Sequence, residues 1–316
     1  MISTVAEVTL PVIEDLSIKK QTISHGTSNK RISIVTGIHG DELEGQYVCY
    51  LLQKKLLNNL ETLDGTVDIY PAMNPLGIDS ITRGIPSFDL DMNRLFPGNH
   101  EGSITEYVAS CIIDDLVGST VVIDIHASNI FLTEIPQVRI NTLHRRKLLP
   151  LAKTINADLI WVHSNATVLE STLAYSLNSR DTDTLVVEMG VGMRITKPYC
   201  HQLENGILSL MTYLGMYKGA YHIEHTPMII DKDDAVEFLN SPASGIFIQK
   251  AEHGDMLEKG ELIGEIVDPL RGRVIEQILS PCDGLLFTLR EYPVVDYGSL
   301  MGRIIKKRYC GVEDAG

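Results

Sequence analysis

One turn in this chain puts metal-capable side chains at a chemically useful spacing. Ile34-Val35-Thr36-Gly37-Ile38-His39-Gly40-Asp41-Glu42-Leu43-Glu44-Gly45 runs from a β-branched stretch through two glycines that flank a histidine, and a helical pattern begins at Glu42. Residues three apart at a helix start share a face, so an imidazole and a carboxylate can reach one point. Nitrogen plus carboxylate oxygen suits a Zn²⁺ site that keeps a coordination position open. The glycines permit a sharp turn and the close approach of a ligand. The same His-x-x-Glu spacing recurs at His201 and Glu204, after Lys197-Pro198, in an amphipathic helical pattern expected to face water. The first copy is set apart by its place at the C-terminal end of an apolar strand, where open α/β sheets carry their chemistry.

Two further apolar stretches end in reactive side chains. Val121-Val122-Ile123-Asp124-Ile125-His126-Ala127-Ser128 delivers an imidazole, and Leu185-Val186-Val187-Glu188-Met189-Gly190 delivers a carboxylate. Taken singly, His126 reads first as a core histidine bonded to a backbone carbonyl. A buried, unpaired carboxylate is costly, so Glu188 must meet a cation or stand in a polar cleft. Together the residues offer His, Glu, His as three protein ligands, with a second glutamate left over as general base. A loop rich in Gly, Pro, Asn and Asp spans Met73–Asn99 and adds Asn74-Pro-Leu-Gly77, Arg83 and Asp89-Leu-Asp91-Met-Asn93-Arg94-Leu-Phe96-Pro-Gly98. A guanidinium there can hold a carboxylate bidentately or polarise a scissile carbonyl. An arginine considered alone is more often half of a surface ion pair.

These residues need elements to position them. Residues 1–30 alternate as edge strands or a hairpin. Strands are expected at Ile32–Thr36, Thr66–Tyr70, Thr120–Ile125, Leu159–Val162 and Thr184–Val187. Helices are expected at Leu43–Leu57, Glu106–Leu116, Leu143–Ile155, Leu169–Asn178 and Cys200–Met216. Strands without alternation, separated by helices, imply a central sheet covered on both faces. After about Ile223 helical periods vanish and a weak repeat appears. Ser241-Pro-Ala-Ser-Gly245-Ile-Phe-Ile matches Ser280-Pro-Cys-Asp-Gly284-Leu-Leu-Phe, and Gly260-Glu-Leu-Ile-Gly264-Glu-Ile matches Gly298-Ser-Leu-Met-Gly302-Arg-Ile. Short strands between glycine turns suggest a small barrel or sandwich. The repeat resembles the half-motif of biotinyl- and lipoyl-type domains, but no lysine stands in a modification hairpin between the halves. The expected division is a catalytic domain over 1–225 and a β-domain over 226–316.

With 316 residues and 44% hydrophobic content, the chain can bury a large core. The formal charge of −14, from 41 acidic and 27 basic residues, argues against a nucleic-acid partner and against long-range steering of an anionic substrate. No apolar run is long enough to span a bilayer and the N-terminus lacks a signal-peptide pattern, so a cytoplasmic protein is expected. The five cysteines are scattered without a Cys-x-x-Cys, which points to reduced thiols rather than a cysteine metal site. Exposed β-edges in the C-terminal part make a homo-oligomer an open expectation.

As an ordered set, His39-Gly-Asp-Glu42, Asn74-Pro-Leu-Gly77, Asp91-Met-Asn93-Arg94, His126 after its strand and Val187-Glu188-Met-Gly190 resemble the succinylglutamate desuccinylase/aspartoacylase family of the zinc carboxypeptidase clan. The resemblance implies a three-layer α/β/α domain with a mixed central sheet, followed by the small all-β domain. It implies one zinc per chain, held by His39, Glu42 and His126, with Glu188 as the acid–base residue. Arg83 becomes the carbonyl polariser, Asn93 and Arg94 hold a substrate carboxylate, and Asp91 orients their loop. The implied substrate is a small N-acyl amino acid, with a metallocarboxypeptidase or a non-catalytic binding module as alternatives. The chain departs from aspartoacylase in a longer Arg83-to-Asp91 spacing. The arginine preceding the catalytic glutamate and the C-terminal tyrosine lack certain counterparts; Arg180, Tyr292 and Tyr297 are the candidates.

Overall fold

The structure, a computed structural model, describes residues 1–10, 15–86, 88, 90–164 and 170–310. The chain opens with an antiparallel hairpin, β1 (Ile2–Thr9) and β2 (Asp15–His25). Then come β3 (Arg31–Thr36), α1 (Glu44–Asn58), β4 (Gly65–Tyr70), α2 (Pro75–Ser80), α3 (Ile104–Leu116), β5 (Val121–Ala127) and β6 (Leu132–Asn141). They are followed by α4 (Arg145–Ala152), β7 (Leu159–His163), α5 (Leu173–Asn178), β8 (Thr184–Gly190) and α6 (Lys197–Tyr213). The remainder is β-rich: β9 (Met228–Ile230), β10 (Val236–Asn240), β11 (Gly245–Gln249), β12 (Met256–Leu257), β13 (Leu262–Asp268), β14 (Arg273–Leu279), β15 (Gly284–Arg290), β16 (Val294–Val295) and β17 (Leu300–Lys306).

The large sheet is mixed and runs β1-β2-β4-β3-β5-β8-β6-β15-β17-β10. Strands β3, β4, β5 and β8 are parallel, and β6 returns antiparallel to β8. Helices α1, α4 and α6 cover one face, where Val48, Leu52, Leu148 and Ile207 meet Ile32, Ile34, Ile123 and Val187. Helices α3 and α5 lie on the other, where Val108 and Leu173 meet Val35 and Val122. Side chains alternate across a strand. Asp124 and His126 therefore share the α3/α5 face with Val122, although β5 is buried along its whole length.

The repeat is structural. Strands β11 and β13 pair antiparallel, as do β15 and β17, which occupy the matching positions. The copies sit in different sheets. The first joins a four-stranded sheet, β14-β13-β11-β16, and the second continues the large sheet. The link is β6, whose Leu132–Glu134 pair with β15 while Gln137–Asn141 pair with β7.

Several elements differ from the sequence expectation. The loop over Met73–Asn99 contains α2, started by Pro75 and capped by the Asn74 side chain accepting from Gly77 N, and a 3₁₀ turn at Met92–Arg94. Asp89 of that loop and Leu169, the expected start of a helix, lie outside the described residues; α5 begins at Leu173 behind Thr172 as N-cap. Strand β6 was not expected. Pro136 demotes the run as a strand, and the sheet absorbs it through a register shift between Glu134 and Gln137. The second His-x-x-Glu faces water only in part. The His201 side chain is 53% exposed, but Glu204 turns inward at 10%, its Oε2 lying 3.4 Å from His201 Nδ1. No helix among the described residues is long and apolar enough to cross a membrane.

Candidate active site

The His39 turn is fixed from beneath by the Asn74 turn. Asn74 N donates to Gly37 O at 2.7 Å, and Gly40 N donates to Arg83 O at 3.2 Å. Gly37 takes φ +71°, and a Cβ on Gly40 would fall 2.0 Å from the Gly77 carbonyl carbon. Two backbones meet there with no room for a side chain. The contact holds His39 at the end of β3, beside β5, which delivers His126.

The Glu42 carboxylate lies between the two imidazoles. His39 Nδ1 is 2.8 Å from Oε1, and His126 Nδ1 is 3.0 Å from Oε2. Ala127 N also donates to Oε2. All three residues are buried, and one ligand atom from each lies within 4.8 Å of the others. Burial alone would raise the Glu42 carboxyl, but His126 and His39 outweigh it and hold it well below the usual range. Burial opposes charge on His39, yet contacts with Asp91 and Glu42 raise its pKa. His126 is raised further, with Asp124 and Glu42 overcoming burial.

Each imidazole meets a second carboxylate at its far nitrogen. His39 Nε2 is 3.1 Å from Asp91 Oδ1, which also accepts from Asn93 N. Asp124 Oδ2 lies 3.1 Å from His126 Nε2, off the hydrogen-bond direction. Both Asp124 oxygens and His126 Nε2 thus lack hydrogen-bond partners among the described residues. The donor set fits a divalent ion: two Nδ1 atoms converge on one carboxylate, and the Asp91 carboxylate is hydrogen-bonded behind the His39 ring, where it fixes the ring's orientation.

Glu188 is the register neighbour of His126 on β8. It keeps 17% of its side chain exposed, and its Oε1 accepts from Arg139 Nη1 at 3.1 Å. Burial raises the Glu188 carboxyl above its ordinary pKa, while Arg139 pulls it down. Arg83 reaches Glu42 Oε1 at 2.8 Å with 43% of its side chain exposed. Asn93 Oδ1 accepts from Leu173 N, tying the loop to the start of α5, and Arg94 Nη1 donates to Asn93 O. His39, Glu42, Arg83, Asn93, Arg94, His126 and Glu188 all line one cavity of about 480 Å³.

Arg180, Tyr292 and Tyr297 are not among the residues lining this cavity. Arg180 donates to Ser176 O, Tyr292 packs edge-on to Phe131, and Tyr297 is 79% exposed.

Sequence reasoning missed the far wall of the cavity. Glu134 of β6 accepts from Arg139 Nη2 at 2.9 Å, from Thr288 Oγ1 at 3.2 Å and from Arg303 Nη1. Both arginines and His163 line the cavity. One available signal was the repeat itself, which carries Arg303 where its other copy has Glu265.

Residues 28–214 match the succinylglutamate desuccinylase/aspartoacylase catalytic domain, and the chain belongs to that family. Over 277 residues it is 28% identical to the N-alpha-acetyl-L-2,4-diaminobutyric acid deacetylase of Halomonas elongata, an alignment covering 85% of this chain and 80% of that protein. Its structure is similar to a succinylglutamate desuccinylase/aspartoacylase from Rhodobacter sphaeroides, with TM-score 0.79 and 21% identity over 96% and 95% of the two chains. It is also similar to the product-bound ectoine utilization protein EutE of Ruegeria pomeroyi, with TM-score 0.78 and 20% identity over 92% and 89%. At those identities the structural likeness speaks for the fold.

Proposed function

We propose that the chain is a zinc-dependent deacylase that hydrolyses the amide bond of a small N-acyl amino acid. The observation that carries this reading is Glu42 held between two imidazole Nδ1 atoms, with Glu188 beside His126 at the head of the next strand. Family membership and the deacetylase relative support the amide chemistry.

In this reading His39, Glu42 and His126 hold one zinc per chain. The ion supplies Lewis acidity toward the attacking water and the scissile carbonyl. Glu188 takes a proton from that water and passes it to the departing amine, a role suited to a carboxyl whose pKa is raised by burial. Arg83 reaches the site from the loop and stabilises negative charge developing on the carbonyl oxygen. Asn93 and Arg94 bind a substrate carboxylate, and Asp91 fixes both His39 and their turn. The cavity suits a small substrate: Arg303, from the C-terminal strands, walls its far side.

The test is a panel of N-acetyl, N-formyl and N-succinyl amino acids with amine detection, with added Zn²⁺ and after chelation. Chelator-sensitive amine release from at least one member is expected. Failure of the zinc-loaded protein to cleave any of them, while releasing C-terminal residues from dipeptides, would move the reading to a metallocarboxypeptidase.

A further inference from the structure

The two oxygens of the Glu188 carboxylate have different surroundings. Oε1 accepts from Arg139 Nη1 at 3.1 Å, whereas Oε2 makes no hydrogen bond among the described residues. The bond to Arg139 follows from strand register. Gln137 of β6 stands opposite Glu188 of β8, and Arg139 lies two residues further along the same face. That diagonal separation is within reach of a long side chain.

Arg139 is itself held at every side-chain nitrogen. Nη2 donates to both Glu134 oxygens, at 3.2 and 2.9 Å, and Nε donates to Gln137 Oε1 at 3.3 Å. The guanidinium also lies 5.8 Å from the centre of the Trp161 ring. Glu134 is gripped from the opposite side. It pairs in register with Thr288 of β15, whose hydroxyl donates to Oε1 at 3.2 Å, and Arg303 Nη1 of β17 donates to the same oxygen. Acid and base thus alternate along Glu188, Arg139, Glu134 and Arg303, and each link is an ion pair. Such a chain is a poor stabiliser when buried. Taking its charges out of water costs about as much as their attraction gains, and apolar residues of like volume often serve a fold as well. One end of this chain is the carboxylate beside the candidate metal ligands.

We infer that Glu134, clamped by Thr288 and Arg303 of the C-terminal strands, is a positioning residue that acts through Arg139: it fixes the guanidinium so that Glu188 Oε1 stays tied and Oε2 is left to take the proton of the attacking water. The proposal rests on the deacylase reading for what Glu188 does, but the coupling itself has a structural readout. A carboxylate free to turn would offer either oxygen in many orientations, and a misplacement of about 1 Å can cost about 10²-fold in rate. The glycine-rich half thereby takes part in the chemistry without touching substrate. Thr288 is fully buried and is not among the residues lining the cavity.

Three variants test this. Glu134→Gln keeps the shape of the link and removes its charge. Thr288→Val removes the clamping hydroxyl from a position outside the cavity, and Thr288→Ser retains it. Each would be crystallised, assayed for zinc content, and measured for kcat and KM on whichever acyl amino acid the wild type cleaves. In Glu134→Gln, kcat should fall by about 10–100-fold with KM changed by less than about twofold. The bond between Arg139 and Glu188 should lengthen or break, while zinc content and the positions of His39, Glu42 and His126 stay as in the wild type. Thr288→Val should change kcat and the Glu188 position in the same sense, several-fold, and Thr288→Ser should restore most of both. A Glu188 carboxylate that keeps its place and its bond to Arg139 in either Glu134→Gln or Thr288→Val would overturn the proposal. So would displacement without loss of kcat, or a loss carried by KM, which would make Glu134 a substrate contact. Should Glu134→Gln fail to fold by thermal melt, Thr288→Val set against Thr288→Ser decides. If the wild type cleaves no acyl amino acid, the deacylase reading falls, and the crystal structures alone decide whether Glu134 and Thr288 set the Glu188 carboxylate.

Discussion

Asp91 Oδ1 lies 3.1 Å from His39 Nε2, on the side of the ring opposite Glu42. The carboxylate therefore fixes which imidazole nitrogen faces Glu42. It does so from the same turn that carries Asn93, whose backbone N–H it accepts at 2.8 Å. The candidate metal site and the loop proposed to bind substrate are thereby joined through one side chain. His39 holds the Asp91 carboxyl down at about 2, against the effect of burial.

Asp91→Asn keeps the shape of this contact and removes its charge. Zinc affinity should fall by about 10-fold or more, the lower end of what an orienting carboxylate contributes. Competition against a chromophoric chelator measures it. Unchanged affinity would reduce Asp91 to a loop residue.

Glu188→Gln leaves the three candidate ligands intact. Zinc content by elemental analysis should stay near one per chain, while turnover falls by about 10²–10⁴-fold, the usual range for removing a general base. Full activity in this variant would take Glu188 out of the mechanism.

Gly40→Ala introduces a Cβ that meets the Gly77 backbone at 2.0 Å. Neither backbone is free to yield as a flexible side chain would, so the His39 turn must shift. A thermal melt should show a loss of about 1–3 kcal/mol, as for other overpacked sites. Zinc binding should weaken with it.

His163 gives a pH dependence with a definite sign. Its pKa is lowered from an ordinary 6.5 to about 4 in the folded chain, through burial and then Arg139 and Arg303. Between those values the unfolded chain binds the proton and the folded chain does not, so stability falls as pH drops. The contribution is complete above pH 6.5 and lost on acidification toward 4. Denaturant melts across that window should show a shallower acid limb for His163→Phe than for wild type.

The three candidate ligands and Glu188 were legible in the sequence because they stand at the ends of apolar runs. Buried strands leave few positions for a charged group, so His126 and Glu188 stand out from their neighbours. The far wall was not legible, for two physical reasons. Pro136 interrupts the strand pattern of β6, and only the register shift after Glu134 lets the strand carry Arg139 toward Glu188. Arg303 comes from more than a hundred residues further along the chain, and only the sheet brings it to Glu134. The partial burial of Glu204 was missed for a related reason: helical spacing gives the shared face of His201 and Glu204 but not how deep each position sits.

The continuation of the large sheet from β6 into β15 has a practical consequence for anyone wishing to shorten the protein. Removing the glycine-rich half would strip β6 of backbone partners at Leu132–Glu134 and leave the Glu134 carboxylate without Thr288 and Arg303. A raw strand margin invites self-association. The two halves should therefore be inherited, expressed and engineered as one piece.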